Sequence, residues 1–187
     1  MDDRIAVREL PLPGLLRLER RALEDSRGSL QRLYCADFLA RRGLAKPIAQ
    51  INLTRTLRRG TVRGMHFQYP PHAETKIVSC LRGRVFDVAV DLRRGSVTYL
   101  QWHGEVLAPE LGNSLLIPEG CAHGFQTLTD DCELLYFHTA AYCPEAESGI
   151  RPNDPGLGVR WPLEVAELSS RDAGHALLTP DFRGIDA

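Results

Sequence analysis

The sequence feature that most constrains the fold is a succession of short strand-like segments, separated by turn signals, between about residues 49 and 138. Residues 76–92 contain two such segments around Arg82 and Gly83, a pattern that predicts a β-hairpin. Further short strands are predicted at 99–107, 114–117 and 132–138. Short strands at this close spacing favour a β-sandwich or a β-barrel.

The flanking segments are less regular. Before residue 49, a weakly alternating run and a turn are predicted at 15–21 and 25–28. Asp37 stands where it would cap a short helix over residues 38–42. The chain from Tyr142 onward is rich in Pro, Gly and Asp, which predicts loops and one short helix near Ser169.

Length and charge exclude several classes of protein. A chain of 187 residues favours a single domain over 1–187, with the strand-rich core at about 49–140. The net charge of -1 argues against a nucleic-acid partner or a membrane-surface patch, because both need a basic excess. No apolar run approaches the ~20 residues that span a bilayer, so we expect no membrane partner.

The N-terminus and the cysteines bear on the cellular compartment. The first ten residues are charged and lack the apolar segment of a secretory signal. The five cysteines form no CxxC pair and no zinc-site spacing. These features predict a reduced, cytoplasmic protein.

Two histidine-containing segments carry the chemistry. Residues Gly112 to His123 fit the second cupin motif, G-x5-P-x-G-x2-H, in which a strand enters a tight turn and the histidine points into a barrel mouth. Residues Gly60 to His66 supply the first histidine of the other cupin motif. The position of its second histidine is Gln68, a poor metal ligand, and Glu74 lies too far along for the usual spacing.

Two interpretations of His66 and His123 follow. Either histidine alone is better explained as a hydrogen-bonded core residue, whereas the pair at matched motif positions favours an active site. Because the ligand set is incomplete, we expect that site to use no metal and no other cofactor.

Residues Arg63 to Gln68 indicate a resemblance to one family that is more specific than the general cupin motifs. The chain resembles the dTDP-4-dehydrorhamnose 3,5-epimerase family of nucleotide-sugar epimerases. The matching stretches keep family-like order and spacing over nearly the whole chain, and besides 63–68 they are 25–28, 82–92, 117–125, 135–136, 153–155, 161–163 and 168–172.

The resemblance implies a fold, an activity and an assembly. The fold would be all-β, a cupin-type double-stranded β-helix (jelly roll) with short peripheral helices. The activity would be metal-free epimerisation of a nucleotide-linked 4-keto-6-deoxyhexose at C3, C5 or both, and the substrate a nucleotide-diphosphate sugar. The family is usually a homodimer that exchanges N-terminal strands.

Epimerisation beside a ketone needs a base, an enolate stabiliser and an acid on the opposite face. His66 suits the base because a neutral imidazole has a pKa of ~6.5. The resemblance assigns its carboxylate partner to Asp172, although the run from Ser169 to Asp172 also fits a helix capping box.

The acid and the enolate stabiliser come from the other strands. Tyr136 suits the acid because a phenol keeps its proton at neutral pH; otherwise it would be an ordinary core tyrosine. Lys76, one of only two lysines, suits the stabiliser of the enolate oxygen, and otherwise would be a solvated surface charge.

Candidate substrate-binding residues complete the set. A guanidinium binds phosphate oxygens in a fork, which suits Arg63 to a diphosphate. The resemblance implies that the remaining candidates hold the sugar, the base or the nucleotide, with Arg27 supplied by a neighbouring subunit; they are His123, Gln50, Asn52, Arg27, Tyr142 and Glu147.

The sequence departs from the family pattern after Gly28. Leu30 stands where an aromatic residue is usual, and Arg32 stands where a glutamate is usual. Both positions help to grip the nucleotide, so the identity of the nucleotide stays open. The sequence is also consistent with a 3-only or 5-only epimerase, a ketoisomerase of the same fold, a metal-dependent cupin oxygenase or isomerase, and a non-catalytic sugar-nucleotide sensor.

Overall fold

The computed structural model describes residues 4–44 and 46–186. Met1 to Asp3, which open the charged N-terminal stretch, lie outside the described residues, as do Ala45 and Ala187. No helix within 4–44 and 46–186 is long and apolar enough to cross a bilayer.

Short strands dominate the described part of the chain. They are β1 (Ile5–Glu9), β2 (Leu16–Arg20), β3 (Leu23–Asp25), β4 (Gly28–Leu30), β5 (Gln50–Thr56), β6 (Thr61–Gln68), β7 (Lys76–Arg82), β8 (Val85–Asp91), β9 (Trp102–Leu107), β10 (Asn113–Ile117), β11 (Cys121–Thr127), β12 (Cys132–His138), β13 (Glu147–Gly149) and β14 (Glu167–Leu168). Two short helices, α1 (Ala36–Ala40) and α2 (Ser170–Gly174), and a 3-10 turn (Pro109–Leu111) accompany them.

The strands form two large antiparallel sheets and one small hairpin. Sheet one has the order β1-β2-β10-β7-β12-β5. Sheet two has the order β13-β6-β11-β8-β9, and β14 joins β6 in parallel. Strands β3 and β4 pair only with each other among the described strands. The predicted all-β, jelly-roll fold with short peripheral helices is therefore confirmed.

A continuous apolar core holds the two sheets together. Val78 and Leu115 of sheet one pack with Val85, Ala89 and Phe125 of sheet two, and all are nearly inaccessible to water. Alternation along each strand puts every second side chain into this layer. Burial of such side chains stabilises a fold by about 1.5–3 kcal/mol each.

Two further clusters cover the outer faces. On sheet one, Phe38 and Leu39 of α1 pack over Ile77 and Phe137. On sheet two, the C-terminal segment packs Ile150, Leu157 and Ile185 over Met65, Val88 and Val90. The C-terminal segment is thereby held against the sheet that carries β6.

The hairpin predicted around Arg82 and Gly83 is wrong. Strand β7 pairs with β10 and β12 in sheet one, whereas β8 pairs with β9 and β11 in sheet two. The chain passes from one sheet to the other at Gly83, where φ is +74°. Both strands are buried along most of their length, so each needs neighbours on both sides.

The predictions for the ends of two elements also need correction. Helix α1 begins after Cys35, so Asp37 lies in its first turn instead of capping it, and the helix ends at Ala40. The strand predicted from Tyr99 begins at Trp102, because residues 97–100 form a turn. The predicted strand at 132–138 and the helix near Ser169 are confirmed.

The close approach of β6 and β11 depends on two glycines. A Cβ on Gly64 would lie 2.5 Å from the Gly124 Cα, and a Cβ on Gly124 would lie 2.5 Å from the Met65 sulfur. Gly64 also has a φ of +129°, which favours glycine. This contact sets His66 and His123 as register partners across the two strands.

Candidate active site

A cavity of about 410 Å³ opens between the two sheets. Every candidate residue from the sequence lines it except Arg27; those that line it are Gln50, Asn52, Arg63, His66, Lys76, His123, Tyr136, Tyr142, Glu147 and Asp172. Polar groups of both signs line one concave space, as expected of a site for a polar small molecule.

The centre of one wall is a histidine–carboxylate pair. The His66 Nε2 lies 2.7 Å from the Asp172 Oδ1, although the two residues are 106 positions apart in the sequence. With Nε2 donating its proton to this carboxylate, Nδ1 is the nitrogen that can accept a proton. Burial opposes ionisation of Asp172, but the contacts with His66 outweigh it and lower the pKa of that carboxyl below its usual value.

The local structure around Asp172 resolves the two interpretations of the Ser169–Asp172 run. The Asp172 backbone N–H donates to the Ser169 Oγ at 3.0 Å, which caps α2. Its carboxylate remains free for His66 and also accepts from the Gly64 N–H at 3.3 Å. The capping geometry therefore aims the carboxylate at β6.

Lys76 is a buried cation with two fixed neighbours. Its Nζ lies 3.2 Å from the Glu74 Oε1 and donates to the His66 carbonyl oxygen at 3.3 Å. The second Glu74 oxygen lies 2.8 Å from the His138 Nδ1. Burial opposes ionisation of Glu74, but His138 and Lys76 lower its pKa below the usual value. The lysine is thus held at the cavity wall by a buried carboxylate.

Tyr136 belongs to sheet one and approaches the cavity from the side opposite His66. Its ring meets the His123 ring edge-on at 5.9 Å and stacks on the His138 ring at 5.8 Å. Burial, helped by the negative charge of Asp87, raises the pKa of Tyr136 well above its ordinary value. The phenol therefore keeps its proton at neutral pH.

His123 is tied to a buried carboxylate of its own. Its Nε2 lies 2.8 Å from the Asp87 Oδ1, and both side chains are almost fully buried. Asp87 is on β8, directly opposite Phe125 in the β11 register. This pair fixes the orientation of the imidazole at the cavity wall.

The open end of the cavity carries hydrogen-bonding side chains. The Tyr142 hydroxyl donates to the Glu147 Oε2 at 2.7 Å, and the same oxygen lies 2.5 Å from an Arg171 nitrogen. The Gln50 side chain accepts from the Tyr142 N–H and donates to the Asn52 side chain. Burial opposes ionisation of Glu147, but Arg171 and Tyr142 lower its pKa.

The two candidate arginines lie in different places. Arg63 lines the cavity, and its Nε donates to the Thr56 Oγ1 at 3.0 Å, which leaves the terminal guanidinium nitrogens for a ligand. Arg27 lies outside the cavity, in the turn between β3 and β4, and forms an ion pair with Asp25 at 2.6 Å. Leu30 on β4 is 63% exposed.

The cupin-type metal set does not assemble here. Gln68 accepts from the Cys143 N–H and donates to two backbone carbonyls, those of His72 and Ala141. Its amide is therefore a structural brace, and His123 is bound to Asp87. Among the described residues, the His, Cys, Asp and Glu donors that lie close enough to share an ion are His66, Asp172 and His175, a group without His123.

Sequence reasoning missed five polar residues at or beside this site: Glu74, Asp87, His138, Arg171 and His175. The alternation of strand side chains could have found His138, two positions after Tyr136 on the same face. His175 follows α2 directly, and its ring lies 5.8 Å from the His66 ring. Burial and the nearby His66 lower the pKa of His175.

Comparison with known proteins gives a consistent result. The family profile described as dTDP-4-dehydrorhamnose 3,5-epimerase matches residues 9–179. The enzyme of that name from Salmonella typhimurium is 40% identical over 169 residues, which cover 89% of this chain and 92% of the relative. A dTDP-4-dehydrorhamnose 3-epimerase from Streptomyces niveus is 38% identical over 92% of this chain and 83% of its own length.

A solved structure extends the likeness to the fold. The dTDP-6-deoxy-D-glucose-3,5-epimerase from Legionella pneumophila, crystallised with dTDP-4-keto-L-rhamnose, has a TM-score of 0.88 and 36% identity. The match covers 92% of this chain and 92% of that one. Sequence and fold thus agree over almost the whole length of both chains.

Proposed function

The chain belongs to the dTDP-4-dehydrorhamnose 3,5-epimerase family, and from that premise we propose that His66 and Tyr136 are its base and its acid. It is an isomerase that epimerises a nucleotide-linked 4-keto-6-deoxyhexose at C3, C5 or both, a reaction of deoxysugar biosynthesis. One observation carries the residue roles: the His66–Asp172 pair and the Tyr136 phenol reach one cavity from two facing sheets.

The first step is removal of a proton beside the C4 ketone. The His66 Nδ1 accepts this proton, and the imidazolium that forms is stabilised by Asp172 at 2.7 Å. The lowered pKa of Asp172 keeps the carboxylate ionised at neutral pH. The pair therefore combines a proton acceptor with a fixed countercharge.

The second requirement is a cation beside the enolate oxygen. Lys76 is nine-tenths buried and held by Glu74, so its ammonium needs no rearrangement to meet the developing charge. His123, oriented by Asp87, is the second group at this oxygen. The sugar ring would lie between His66 of sheet two and Tyr136 of sheet one.

The third step returns a proton from the other face. Tyr136 supplies it as a neutral phenol, which its raised pKa favours. Inversion then leaves an imidazolium and a phenolate, and exchange with water restores both. The same pair serves C3 and C5 in turn if the sugar ring is repositioned between His66 and Tyr136 after the first epimerisation.

The proposed substrate is a dTDP-linked sugar, as in the Legionella complex. Arg63 would bind the diphosphate, and Gln50, Asn52, Tyr142 and Glu147 at the open end would hold the nucleotide. We include a cytoplasmic location and a homodimer in this proposal. The β3–β4 hairpin supports the dimer, since its six strand residues are exposed and Arg27 is not part of the cavity lining of its own chain.

An isotope experiment tests the base. The wild type and His66→Ala are incubated in D2O with dTDP-, CDP- and GDP-linked 4-keto-6-deoxy sugars, and NMR identifies the carbons that take up deuterium. We expect deuterium at C3, C5 or both for the wild type with the dTDP sugar, and a loss of about 10²–10⁴-fold in His66→Ala.

The matched control is His103→Ala, which removes a histidine that pairs with Glu105 on β9, outside the cavity lining. That variant should exchange at the wild-type rate. Nucleotide binding by His66→Ala, measured by calorimetry, should survive. Full exchange in His66→Ala would refute the base assignment. No exchange at any carbon in the wild type would instead favour a non-catalytic sugar-nucleotide sensor.

A further inference from the structure

The side of His66 that faces away from the ketose carries a second cluster of donors. His66, Asp172 and His175 place three ligand atoms, one from each residue, within 4.8 Å of one another. The His175 Nε2 lies 3.9 Å from the same Asp172 Oδ1 that binds His66. None of the steps above uses His175.

His175 has an unusual environment for an imidazole. Its Nε2 is buried and has no hydrogen-bond partner in the described structure. A buried polar nitrogen without a partner is unfavourable, because it has lost its hydrogen bonds to water and gained none in return. The main chain at this residue is held in place, because the Arg151 Nε donates to the His175 carbonyl oxygen at 3.2 Å.

The space for this ring exists because residue 149 is a glycine. A Cβ on Gly149 would overlap the His175 Nε2, so any side chain there would displace the imidazole. Gly149 on β13 is also the register partner of His66 on β6. The backbone thus brings a second histidine against the first, with one carboxylate between them.

We propose that His66, Asp172 and His175 form an inhibitory site for Zn²⁺ or a similar divalent transition-metal ion. Two imidazole nitrogens and one carboxylate oxygen are the three-ligand set that zinc accepts, with a fourth position open to water. Zinc needs ligand distances of about 2.0–2.2 Å, which small side-chain rotations from the present spacing provide. This site differs from the cupin metal position, where Gln68 and His123 are bound elsewhere.

The expected consequence is loss of the base. A metal on the His66 Nε2 displaces the hydrogen bond to Asp172, and the neutral imidazole then carries its proton on Nδ1. That nitrogen no longer accepts a proton from the sugar. Binding of the ion and catalysis by His66 are therefore mutually exclusive, whatever the nucleotide.

The test is a titration of Co²⁺ into metal-stripped protein without substrate, followed through the visible absorption of the four-coordinate ion, with Zn²⁺ as the competitor. Leaving out the substrate avoids chelation by its diphosphate. We expect the wild type to bind at this site and His175→Phe, which keeps a ring over Gly149 without a donor, to bind more weakly by at least the ~10–100-fold that loss of a group supporting a ligand costs. His103→Phe is the matched control and should bind like the wild type.

A second test, inhibition of deuterium exchange by Zn²⁺, rests on the proposed function, whereas the Co²⁺ titration does not. Zn²⁺ should abolish deuterium exchange by the wild type, EDTA should restore it, and metal-free His175→Phe should stay active and resist Zn²⁺. Absence of Co²⁺ binding by the wild type, or equal affinity in His175→Phe, would overturn the proposal. A wild type that binds no Co²⁺ overturns the proposal even if the variant does not fold, and a wild type without exchange activity would contradict only the proposed function.

Discussion

Asp172 shows how one residue can serve both a helix and a cavity. Its main-chain N–H completes the cap of α2, while its carboxylate binds His66. Because these two interactions use different atoms, a helix-capping sequence signal does not argue against a role in the site. The same separation applies to His66, whose carbonyl oxygen binds Lys76 while its ring binds Asp172.

At the residue scale, Tyr136→Phe isolates the role of the proposed acid. The substitution keeps the ring contacts with His123 and His138 and removes only the hydroxyl. His66 can still take up a proton and return it to the same face. We therefore expect solvent exchange to persist while formation of the inverted sugar falls about 10²–10⁴-fold.

The measurement is NMR of the product stereochemistry alongside deuterium uptake in one sample. Tyr69→Phe, which alters an exposed tyrosine outside the cavity lining, is the control and should behave as the wild type. Equal rates of inversion in Tyr136→Phe and the wild type would remove Tyr136 from the reaction.

The sequence predicts the polar residues of the cavity far better than their partners. Histidines at motif positions and a resemblance in register suffice to bring His66, Tyr136 and Asp172 into one list. Glu74 and Asp87 could not be found that way, because each acts by contacting a histidine on another strand of the fold. His175 depends on the empty space above Gly149, which no local pattern reveals.

At the element scale, the end of β8 provides a pH test of stability. Burial opposes ionisation of Asp91, but hydrogen bonds from Arg93, Ser96 and Thr98 outweigh it and lower its pKa to about 2. An unfolded aspartate has a pKa of about 3.9. The ionised form therefore stabilises the fold above about pH 4, and this contribution is lost as the pH falls from about 4 towards 2.

We expect Asp91→Asn to lower the free energy of unfolding by about 2 kcal/mol at pH 7. The difference between variant and wild type should shrink as the pH is lowered to about 3 and below. Urea unfolding at several pH values measures it, with the exposed Asp181→Asn as control. A difference that stays constant with pH would contradict the assignment.

The fold class follows from strand spacing, but the pairing does not. Alternation within residues 85–91 separates the two faces of β8 correctly, since Phe86, Val88 and Val90 pack on one face and Val85 and Ala89 on the other. Which strands pair depends on long-range contacts. A glycine such as Gly83 suits the turn of a hairpin and a connection between two sheets equally well. Local turn chemistry cannot distinguish these two outcomes.

At the scale of the whole molecule, the β3–β4 hairpin predicts how copies would associate. Leu23 and Leu30 are exposed on it, at 44% and 63%, beside Arg27. If a second copy covers this hairpin, Leu30→Asp should shift the protein from dimer to monomer in light scattering. Arg27→Ala should leave the dimer intact but raise the KM for the nucleotide sugar roughly tenfold, since it removes a hydrogen bond to a charged group.

Ser29→Asp on the same hairpin tests whether any added charge has this effect, because Ser29 points to the other side of the strand from Leu30. It should not dissociate the dimer. A wild type that is monomeric and fully active, or a dimer unaffected by Leu30→Asp, would contradict this mode of association.

The long sequence separation within the His66–Asp172 pair also bears on protein synthesis. A ribosome that has translated the chain through β12 has supplied all of sheet one, most of sheet two and the phenol, yet the imidazole still has no carboxylate beside it. If the proposed roles hold, the His66–Asp172 pair forms only after α2 has left the exit tunnel and docked. A chain that stopped before residue 172 would therefore bury much of the core but lack the proposed partner of His66.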